Sequence, residues 1–251
     1  MKYLTYLFLI CLFSFYSPNL AYSFPLVNLD NKIEVFSNLN IEVNKQQRSY
    51  RLVVPELVKS QKNTPLVFAF HGLGDSKDLM PLYSHLDQAA KKYGFILVYL
   101  NGVDKRWPLL PLKAGDDLAF FDAIYQKLTT EYSIDINRVY LTGMSNGAYF
   151  INIVAQERSE KIAAIAPHSG SLGALAYRGL KAKNKYAVIV IHGDADNILS
   201  VREGRKMQEA YKSAGHTVEY IEVAGLGHMW ANKIDVNDKI WQFFLAHPKN
   251  K

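Results

Sequence analysis

Cysteine is almost absent from this sequence. Cys11 is the single cysteine, and it lies within an apolar N-terminal segment. A chain with one cysteine forms no intramolecular disulfide, which excludes the disulfide-scaffold class of small secreted proteins. Because 49% of the residues are hydrophobic, the chain can form a core large enough to stabilise a domain without such cross-links.

The sequence also lacks an apolar run that spans a bilayer comfortably. The run Leu4–Phe15 is short, follows the basic start Met1–Lys2, and precedes the small residues Ala21 and Ser23. This order is typical of a secretory signal peptide that is cleaved after Ser23. We therefore expect residues 1–23 to be a signal peptide, and the mature protein to be secreted or periplasmic with no stable membrane anchor.

Nucleic-acid-binding motifs, internal repeats and linkers are missing as well. The formal net charge is +6, but basic residues do not interleave with aromatic residues in a pattern that binds nucleic acid. We therefore expect no nucleic-acid partner, and residues 24–251 are predicted to form a single catalytic domain. The sequence leaves the oligomeric state unknown, and it does not say whether the basic surface binds an anionic partner.

Apolar runs typical of buried strands alternate with helical patterns along the chain. This alternation predicts the α/β class, with a mostly parallel central sheet flanked by helices on both faces. Helical spacing predicts one helix over Leu79–Tyr93, and the pair Asp116–Asp117 is expected to cap the next helix. Ser200 and Glu203 predict a capping box. The strands are expected within 31–54 (two strands), 65–70, 95–100, 138–141, 162–166, 186–191 and 217–223.

The stretch Gly143–Gly147 carries the strongest chemical signal. It reads G-x-S-x-G, and it lies between a strand pattern and a helix pattern. This layout predicts a nucleophile elbow, a sharp turn that raises the hydroxyl of Ser145 above the sheet edge. The flanking glycines are expected because a Cβ at Gly143 or Gly147 would collide with the neighbouring strand or helix.

A serine nucleophile needs a base, and the base needs a carboxylate to orient it. His228 is the best candidate base because it follows the last strand in a glycine-rich loop, and Asp194 and Asp196 are the candidate acids. The short run around these aspartates lacks the glycine and distal glutamate of a calcium loop, so it does not predict a calcium site. A serine mechanism of this kind requires no metal or cofactor, and none is expected.

The other histidines are less favourable candidates. At strand exits before glycine, the expected role is to hold loops together (His71 and His192). Two histidines lie on predicted helices (His85 and His247), and one lies at the wrong end of the sheet (His216). His168 lies at the correct edge but comes before the acid in the chain.

Ester hydrolysis also requires N–H donors for the oxyanion that forms in the reaction. The N–H of Asn146 is one donor by elbow geometry, and the turn after His71 is expected to supply the second from Leu73. Four further residues are either pocket-lining or packing residues on this pattern: His71, Trp107, His168 and Trp230.

With these residues in place, the chain resembles the polyhydroxybutyrate depolymerase and feruloyl esterase group of α/β-hydrolases. The resemblance implies the α/β-hydrolase fold, and the residues that match Ser145, Asp196 and His228 form the triad in that group, which favours Asp196 over Asp194. The Gly72–Asp75 loop is also similar to that of small carboxylesterases, in which the residue that matches Leu73 gives the oxyanion N–H. The resemblance is carried by Arg48–Leu52 with Val54–Pro55, His71–Gly72, Asp116–Phe121, Ile134–Asp135, Gly143–Gly147, His192–Gly193 with Asp196, and Gly227–His228 with Trp230.

The function that follows is a secreted serine esterase acting on small-molecule or oligomeric esters. Short-chain, hydroxyalkanoate-oligomer and feruloyl-type esters are all compatible with the residues. The sequence shows no appended polymer-binding module, which favours soluble or oligomeric substrates over solid polymer. Two alternatives remain, a serine peptidase of the prolyl-oligopeptidase type and a hydrolase-fold protein that binds without catalysis.

Overall fold

A computed structural model describes residues 32–60 and 62–249, so the predicted signal peptide lies outside the described residues. Eight strands form one sheet, in the order β1-β2-β4-β3-β5-β6-β7-β8. The strands are β1 (Ile33–Val43), β2 (Gln46–Pro55), β3 (Thr64–Phe70), β4 (Ile96–Leu100), β5 (Ile134–Met144), β6 (Ala164–His168), β7 (Ala187–Gly193) and β8 (Val218–Val223).

The sheet is mostly parallel, as the alternation of strand and helix patterns predicts. Strands β1 and β2 run antiparallel to their neighbours, while β4, β3, β5, β6, β7 and β8 pair in parallel. The carboxyl ends of these parallel strands meet at one edge of the sheet, where the loops that carry polar chemistry emerge. The predicted fold class is confirmed.

Helices cover both faces of the sheet because side chains alternate along each strand. Phe68 of β3 packs in one apolar cluster with helices α3, α4 and α6, and its neighbour Val67 packs in a second cluster with α2 and α7. The helices are α1 (Met80–Ser84), α2 (Leu86–Tyr93), α3 (Gly115–Glu131), α4 (Asn146–Glu157), α5 (Leu175–Arg178), α6 (Val201–Ser213) and α7 (Val236–Ala246). Within residues 32–60 and 62–249, no helix is both long and apolar enough to cross a membrane.

The single helix predicted over Leu79–Tyr93 is wrong, since the structure has two helices there. His85 adopts a left-handed backbone with φ 54° and separates α1 from α2. The short α1 has Pro81 in its first turn, and Leu82 is 70% exposed rather than buried. This break matters for the site, because it places Tyr83 at the cavity described below.

The capping roles expected of Asp116 and Asp117 are also wrong. Helix α3 follows Ala114 without a side-chain cap, and both carboxylates instead face the β1–β2 pair. Asp116 accepts a hydrogen bond of 2.8 Å from Asn44, and Asp117 forms a 2.5 Å ion pair with Arg48. The aspartates therefore attach the start of α3 to the antiparallel edge of the sheet.

The capping box predicted at α6 is half formed. The Ser200 hydroxyl accepts a hydrogen bond from the Arg202 N–H, which caps the helix as expected. The Glu203 carboxylate does not return to Ser200, because it binds the Ser171 hydroxyl at 2.9 Å and the Lys206 ammonium at 2.8 Å. The bonds to Ser171 and Lys206 therefore replace the hydrogen bond that the Ser200 backbone N–H was expected to donate to the Glu203 carboxylate.

Candidate active site

Ser145 lies in the strained turn between β5 and α4 that the G-x-S-x-G pattern predicts. Its backbone has φ 52° and ψ −115°, a conformation that side chains rarely adopt. The Ser145 N–H donates to the carbonyl oxygen of His168, at 2.9 Å, which attaches the turn to the end of β6. A Cβ on Gly147 would lie 2.1 Å from the Phe70 carbonyl oxygen, and a Cβ on Gly143 would lie 2.7 Å from the Gly147 backbone. Only glycine fits either position.

A hydrogen bond joins His228 to Asp196 across the ends of β7 and β8. The Nδ1–H of His228 donates to Oδ2 of Asp196 at 2.7 Å. The other carboxylate oxygen accepts the N–H groups of Ile198 at 3.0 Å and Leu199 at 2.8 Å. Because Nδ1 is bound to Asp196, Nε2 is the nitrogen of His228 that can accept a proton.

The surroundings of Asp196 keep it ionised. Burial acts to raise the pKa of the carboxyl, but the backbone N–H groups of Leu199 and Ile198 and the His228 imidazole outweigh it, so the pKa lies below its ordinary value. A carboxylate in this state can hold the imidazole in one tautomer and stabilise its protonated form.

Asp194, the competing acid, has a different partner. Its carboxylate is exposed and accepts the N–H of Gly225 at 2.6 Å, which joins the loop after β7 to the loop after β8. Of the two aspartates, Asp196 is therefore the one that contacts His228.

Ser145 and His228 line the same cavity, which has a volume of about 560 Å³. Leu73, Ile198 and Met229 stand at its rim with large exposed fractions of 71%, 72% and 56%. Of the four residues expected to line a pocket or to pack, Trp230 lines this cavity. The lining residues are Gly72, Leu73, Asp75, Tyr83, Met144, Ser145, Ile198, His228, Met229 and Trp230.

The loop after β3 brings Leu73 to the cavity beside the first turn of α4. The two amides that follow Leu73 are bonded within the protein, since Gly74 donates to the Lys105 carbonyl at 2.8 Å and Asp75 donates to the Gly72 carbonyl at 3.3 Å. The N-terminus of α4, which begins at Asn146, adds the positive end of its helix dipole to this side of the cavity. The arrangement suits an anionic oxygen placed between the loop and the helix.

The side chain of Asn146 has a role that sequence reasoning missed. Its Oδ1 accepts the N–H of Trp107 at 2.7 Å, and its Nδ2 donates to the carbonyl of Trp107 at 3.0 Å. The Trp107 indole donates to the His71 carbonyl at 3.0 Å and stacks on Phe150. Trp107 is therefore buried in the wall that supports the elbow, and it is not among the cavity-lining residues.

His71 also supports the loops rather than facing the cavity. It is completely buried, its Nε2 accepts the N–H of Gly102 at 3.0 Å, and its Nδ1–H donates to the Gly72 carbonyl at 2.7 Å. Burial lowers the pKa of His71, so the ring is neutral in this arrangement. It joins the loop after β3 to the loop after β4.

His168 is buried behind Trp230, with its ring stacked on the indole at a centroid distance of 4.5 Å. Neither ring nitrogen forms a hydrogen bond of good geometry, and the Met229 backbone near the ring only partly opposes the effect of burial on the pKa. Burial, together with the nearby His192 imidazole, lowers the pKa of His168 to about 3. A histidine with this pKa does not serve as a base at neutral pH, which leaves His228 as the candidate base at this edge of the sheet.

His192 has the loop-holding role that its place before Gly193 at a strand exit predicts. Its Nε2–H donates to the Leu199 carbonyl at 2.8 Å and lies 3.4 Å from Oδ2 of Asp196. The buried imidazole of His192 therefore stabilises the turn that contains Asp196.

Among the described residues, no group of three or more His, Cys, Asp or Glu side chains is arranged to hold a metal ion.

Comparisons with known proteins find similarity to esterases. Residues 119–235 match the Phospholipase/Carboxylesterase family. The chain is 28% identical over 156 residues to a bifunctional acetylxylan esterase/xylanase of Neocallimastix patriciarum, covering 61% of this chain and 22% of that protein. It is 27% identical over 181 residues to feruloyl esterase D of Neurospora crassa, covering 67% of this chain and 60% of that protein.

Among solved structures, a ferulic acid esterase from Anaeromyces mucronatus in complex with ferulic acid superposes with a TM-score of 0.64. The two chains are 16% identical, with 85% of this chain and 89% of that one covered. The predicted resemblance to feruloyl esterases is confirmed, and the resemblance to polyhydroxybutyrate depolymerases stays a prediction. The chain spans less than two thirds of the length of either curated relative named above. The chain therefore has the α/β-hydrolase fold, and it is similar in sequence to feruloyl esterases.

Proposed function

We propose that this protein hydrolyses carboxylic esters through an acyl-enzyme on Ser145. The observation that carries the proposal is the 2.7 Å bond between His228 and Asp196, beside the cavity that both His228 and Ser145 line. A serine hydroxyl is a weak nucleophile until a base removes its proton, and this pair supplies a base with a fixed orientation.

The reaction proceeds in two transfers. Ser145 Oγ attacks the ester carbonyl while Nε2 of His228 takes its proton, and the N–H groups of Leu73 and Asn146 bind the resulting oxyanion. Collapse of this intermediate breaks the ester C–O bond, and His228 returns its proton to the leaving alcohol. In the second transfer His228 takes a proton from water, and the water oxygen attacks the acyl carbon. The acyl C–Oγ bond then breaks, His228 returns the proton to Ser145 Oγ, and the acid leaves. The loss of one oxyanion donor typically costs about 3 kcal/mol of transition-state stabilisation.

The names of the relatives guide the choice of substrates. Esters of carbohydrates with acetyl or hydroxycinnamoyl groups are the first candidates, because curated relatives are an acetylxylan esterase/xylanase and a feruloyl esterase. Short-chain and hydroxyalkanoate-oligomer esters belong in the same panel. The apolar rim of Leu73, Ile198 and Met229 supports an ester with an apolar body.

A substrate panel with one variant tests the proposal. We expect the wild-type protein to hydrolyse p-nitrophenyl acetate and butyrate, and Ser145→Ala to lose this activity by at least about a thousandfold. Ser60→Ala, which changes an exposed serine, is the matched control and should retain the wild-type rate. Cleavage of the matching p-nitroanilides at equal rates would favour a peptidase, and full turnover by Ser145→Ala would refute the nucleophile.

We also propose that residues 1–23 direct export. The expected result is that protein recovered from the periplasm or culture medium of an expressing bacterium begins at Phe24. N-terminal sequencing measures this directly, and a recovered chain that begins at Met1 would contradict it.

A further inference from the structure

A carboxylate lies in the wall of the mostly apolar cavity, and the reaction described above does not use it. Asp75 follows the oxyanion loop, and its side chain is half-buried. Among the ten residues that line the cavity, it is the one Asp, Glu, Lys or Arg residue. No lysine or arginine belongs to this set of ten, so no cation in the wall neutralises it.

The carboxylate of Asp75 is held in a fixed orientation. Its Oδ1 accepts the N–H of Ser76 at 2.6 Å, and its Oδ2 accepts the Tyr83 hydroxyl at 2.7 Å. Burial, and then the carboxylate itself, raise the pKa of Tyr83, so its hydroxyl remains a donor. An ionised carboxylate has about four acceptor positions, and two donors therefore leave capacity for a ligand.

The nearest lysine in sequence is occupied elsewhere. Lys77 donates to the Ser37 carbonyl at 2.7 Å and pairs with Asp78 at 2.7 Å. With no lysine or arginine among the ten lining residues, the Asp75 carboxylate acts directly on a ligand in the cavity, where a partly desolvated setting strengthens electrostatic interactions.

The rest of the wall is apolar and aromatic. The Tyr83 ring lies 6.5 Å from the Trp230 ring, and Ile198 and Met229 complete this side of the cavity. A neutral ligand with an apolar body and a hydroxyl group can pack against the apolar side chains and donate a hydrogen bond to the Asp75 carboxylate. A ligand that carries a carboxylate of its own would lose the hydration of that group in the cavity, and the group would be repelled by the negative charge of Asp75.

We propose that Asp75, held by Tyr83, selects the substrate by charge: it accepts a hydrogen bond from a hydroxyl group on a neutral ester and excludes esters that carry an ionised carboxylate. This inference rests on the proposed esterase function, and it concerns which esters react rather than how they react. Asp75 acts as a specificity-determining residue.

Two pairs of near-isosteric esters test the charge selection without any variant. On the acyl side, 4-nitrophenyl 4-oxopentanoate is compared with 4-nitrophenyl hydrogen succinate. On the alcohol side, 3-acetoxybenzamide is compared with 3-acetoxybenzoate. We expect kcat/KM to favour the neutral member by at least about tenfold in one or both pairs. Equal values in both pairs would overturn the proposal.

Variants assign the selection to Asp75. Asp75→Asn should reduce the neutral-to-anionic ratio by about tenfold, whereas Asp78→Asn, which changes an exposed carboxylate outside the cavity, should leave the ratio at the wild-type value. Tyr83→Phe keeps the negative charge of Asp75 but removes the hydroxyl that orients its carboxylate. It should retain the exclusion of anions and lower the preference for methyl 4-hydroxycinnamate over methyl 4-methoxycinnamate.

The ratio within a substrate pair is the readout, so a general loss of activity or stability does not imitate the result. An unchanged ratio in Asp75→Asn would overturn the role of Asp75. If no ester of either charge is hydrolysed and Ser145 is not labelled by a fluorophosphonate, the proposed function fails instead, and the two failures are thereby distinguished.

Discussion

The buried imidazole of His168 should make the protein sensitive to acid. Its folded-state pKa is about 3 because burial disfavours the charged ring, whereas an unfolded chain restores the ordinary value of 6.5. Between these values the unfolded state binds more protons than the folded state, so the free energy of unfolding rises with pH in this window. Stability is therefore complete above about pH 6.5 and is lost progressively as the pH falls toward 3.

The magnitude follows from the two pKa values. Between pH 7.5 and pH 5, proton linkage at this single site lowers the free energy of unfolding by about 2 kcal/mol. His168→Phe preserves an aromatic ring against Trp230 and removes both ring nitrogens, neither of which forms a hydrogen bond of good geometry. The variant should lose about 2 kcal/mol less than the wild-type protein over the same pH interval.

Urea unfolding at pH 7.5 and pH 5, followed by far-ultraviolet circular dichroism, measures this difference. The other titrating groups contribute equally to the pH dependence of the unfolding free energy in the wild-type protein and in His168→Phe, so their contributions cancel in the difference. His85→Asn is the matched control, because it removes a solvent-exposed imidazole at a left-handed position that asparagine tolerates. The same pH dependence in the wild-type protein and in His168→Phe would refute the assignment of a buried neutral imidazole.

Two further substitutions test the elbow and the acid. Gly147→Ala places a Cβ 2.1 Å from the Phe70 carbonyl oxygen, so we expect a loss of about 3 kcal/mol in unfolding free energy and a loss of esterase activity. Gly115→Ala, whose Cβ meets nothing within 4 Å, should change stability by less than about 0.5 kcal/mol, and equal effects of the two would contradict the geometry. Asp196→Asn should lower kcat on p-nitrophenyl acetate by about a thousandfold or more, because the amide no longer stabilises the protonated His228. Asp194→Asn, which changes the exposed neighbour that binds Gly225, should remain within a few-fold of the wild type, and a larger loss there than at Asp196 would reverse the assignment.

The elbow could be predicted from sequence because its causes are local. Gly143, Ser145 and Gly147 lie within one turn, and the constraint that makes each glycine necessary comes from the two elements that flank it. The parallel sheet could also be predicted, since strands buried on both faces are continuous apolar runs and can be recognised without knowing which strands pair. The order of the acid and the histidine along the chain then restricted which loops could meet.

Side-chain partners that are distant in sequence could not be predicted in this way. Asn146 and Trp107 are 39 residues apart, and nothing in the sequence around either residue indicates their paired hydrogen bonds. The break between α1 and α2 at His85 could not be predicted, because the apolar residues keep their helical spacing across it. The hydrogen bond from Tyr83 to Asp75, which depends on this break, is seen only in the structure. Local patterns predict capping roles for Asp116, Asp117 and Glu203. In the structure their carboxylates instead bind side chains that are distant in sequence, namely Asn44, Arg48 and Ser171.

The central claim is that one serine hydroxyl is made nucleophilic by a paired histidine and aspartate. Labelling with a fluorophosphonate, followed by peptide mass spectrometry, tests it most directly. The account predicts one adduct per chain on the peptide that contains Ser145, with labelling abolished in Ser145→Ala and strongly slowed when His228 is replaced by alanine. An adduct on another residue, or undiminished labelling without His228, would contradict it.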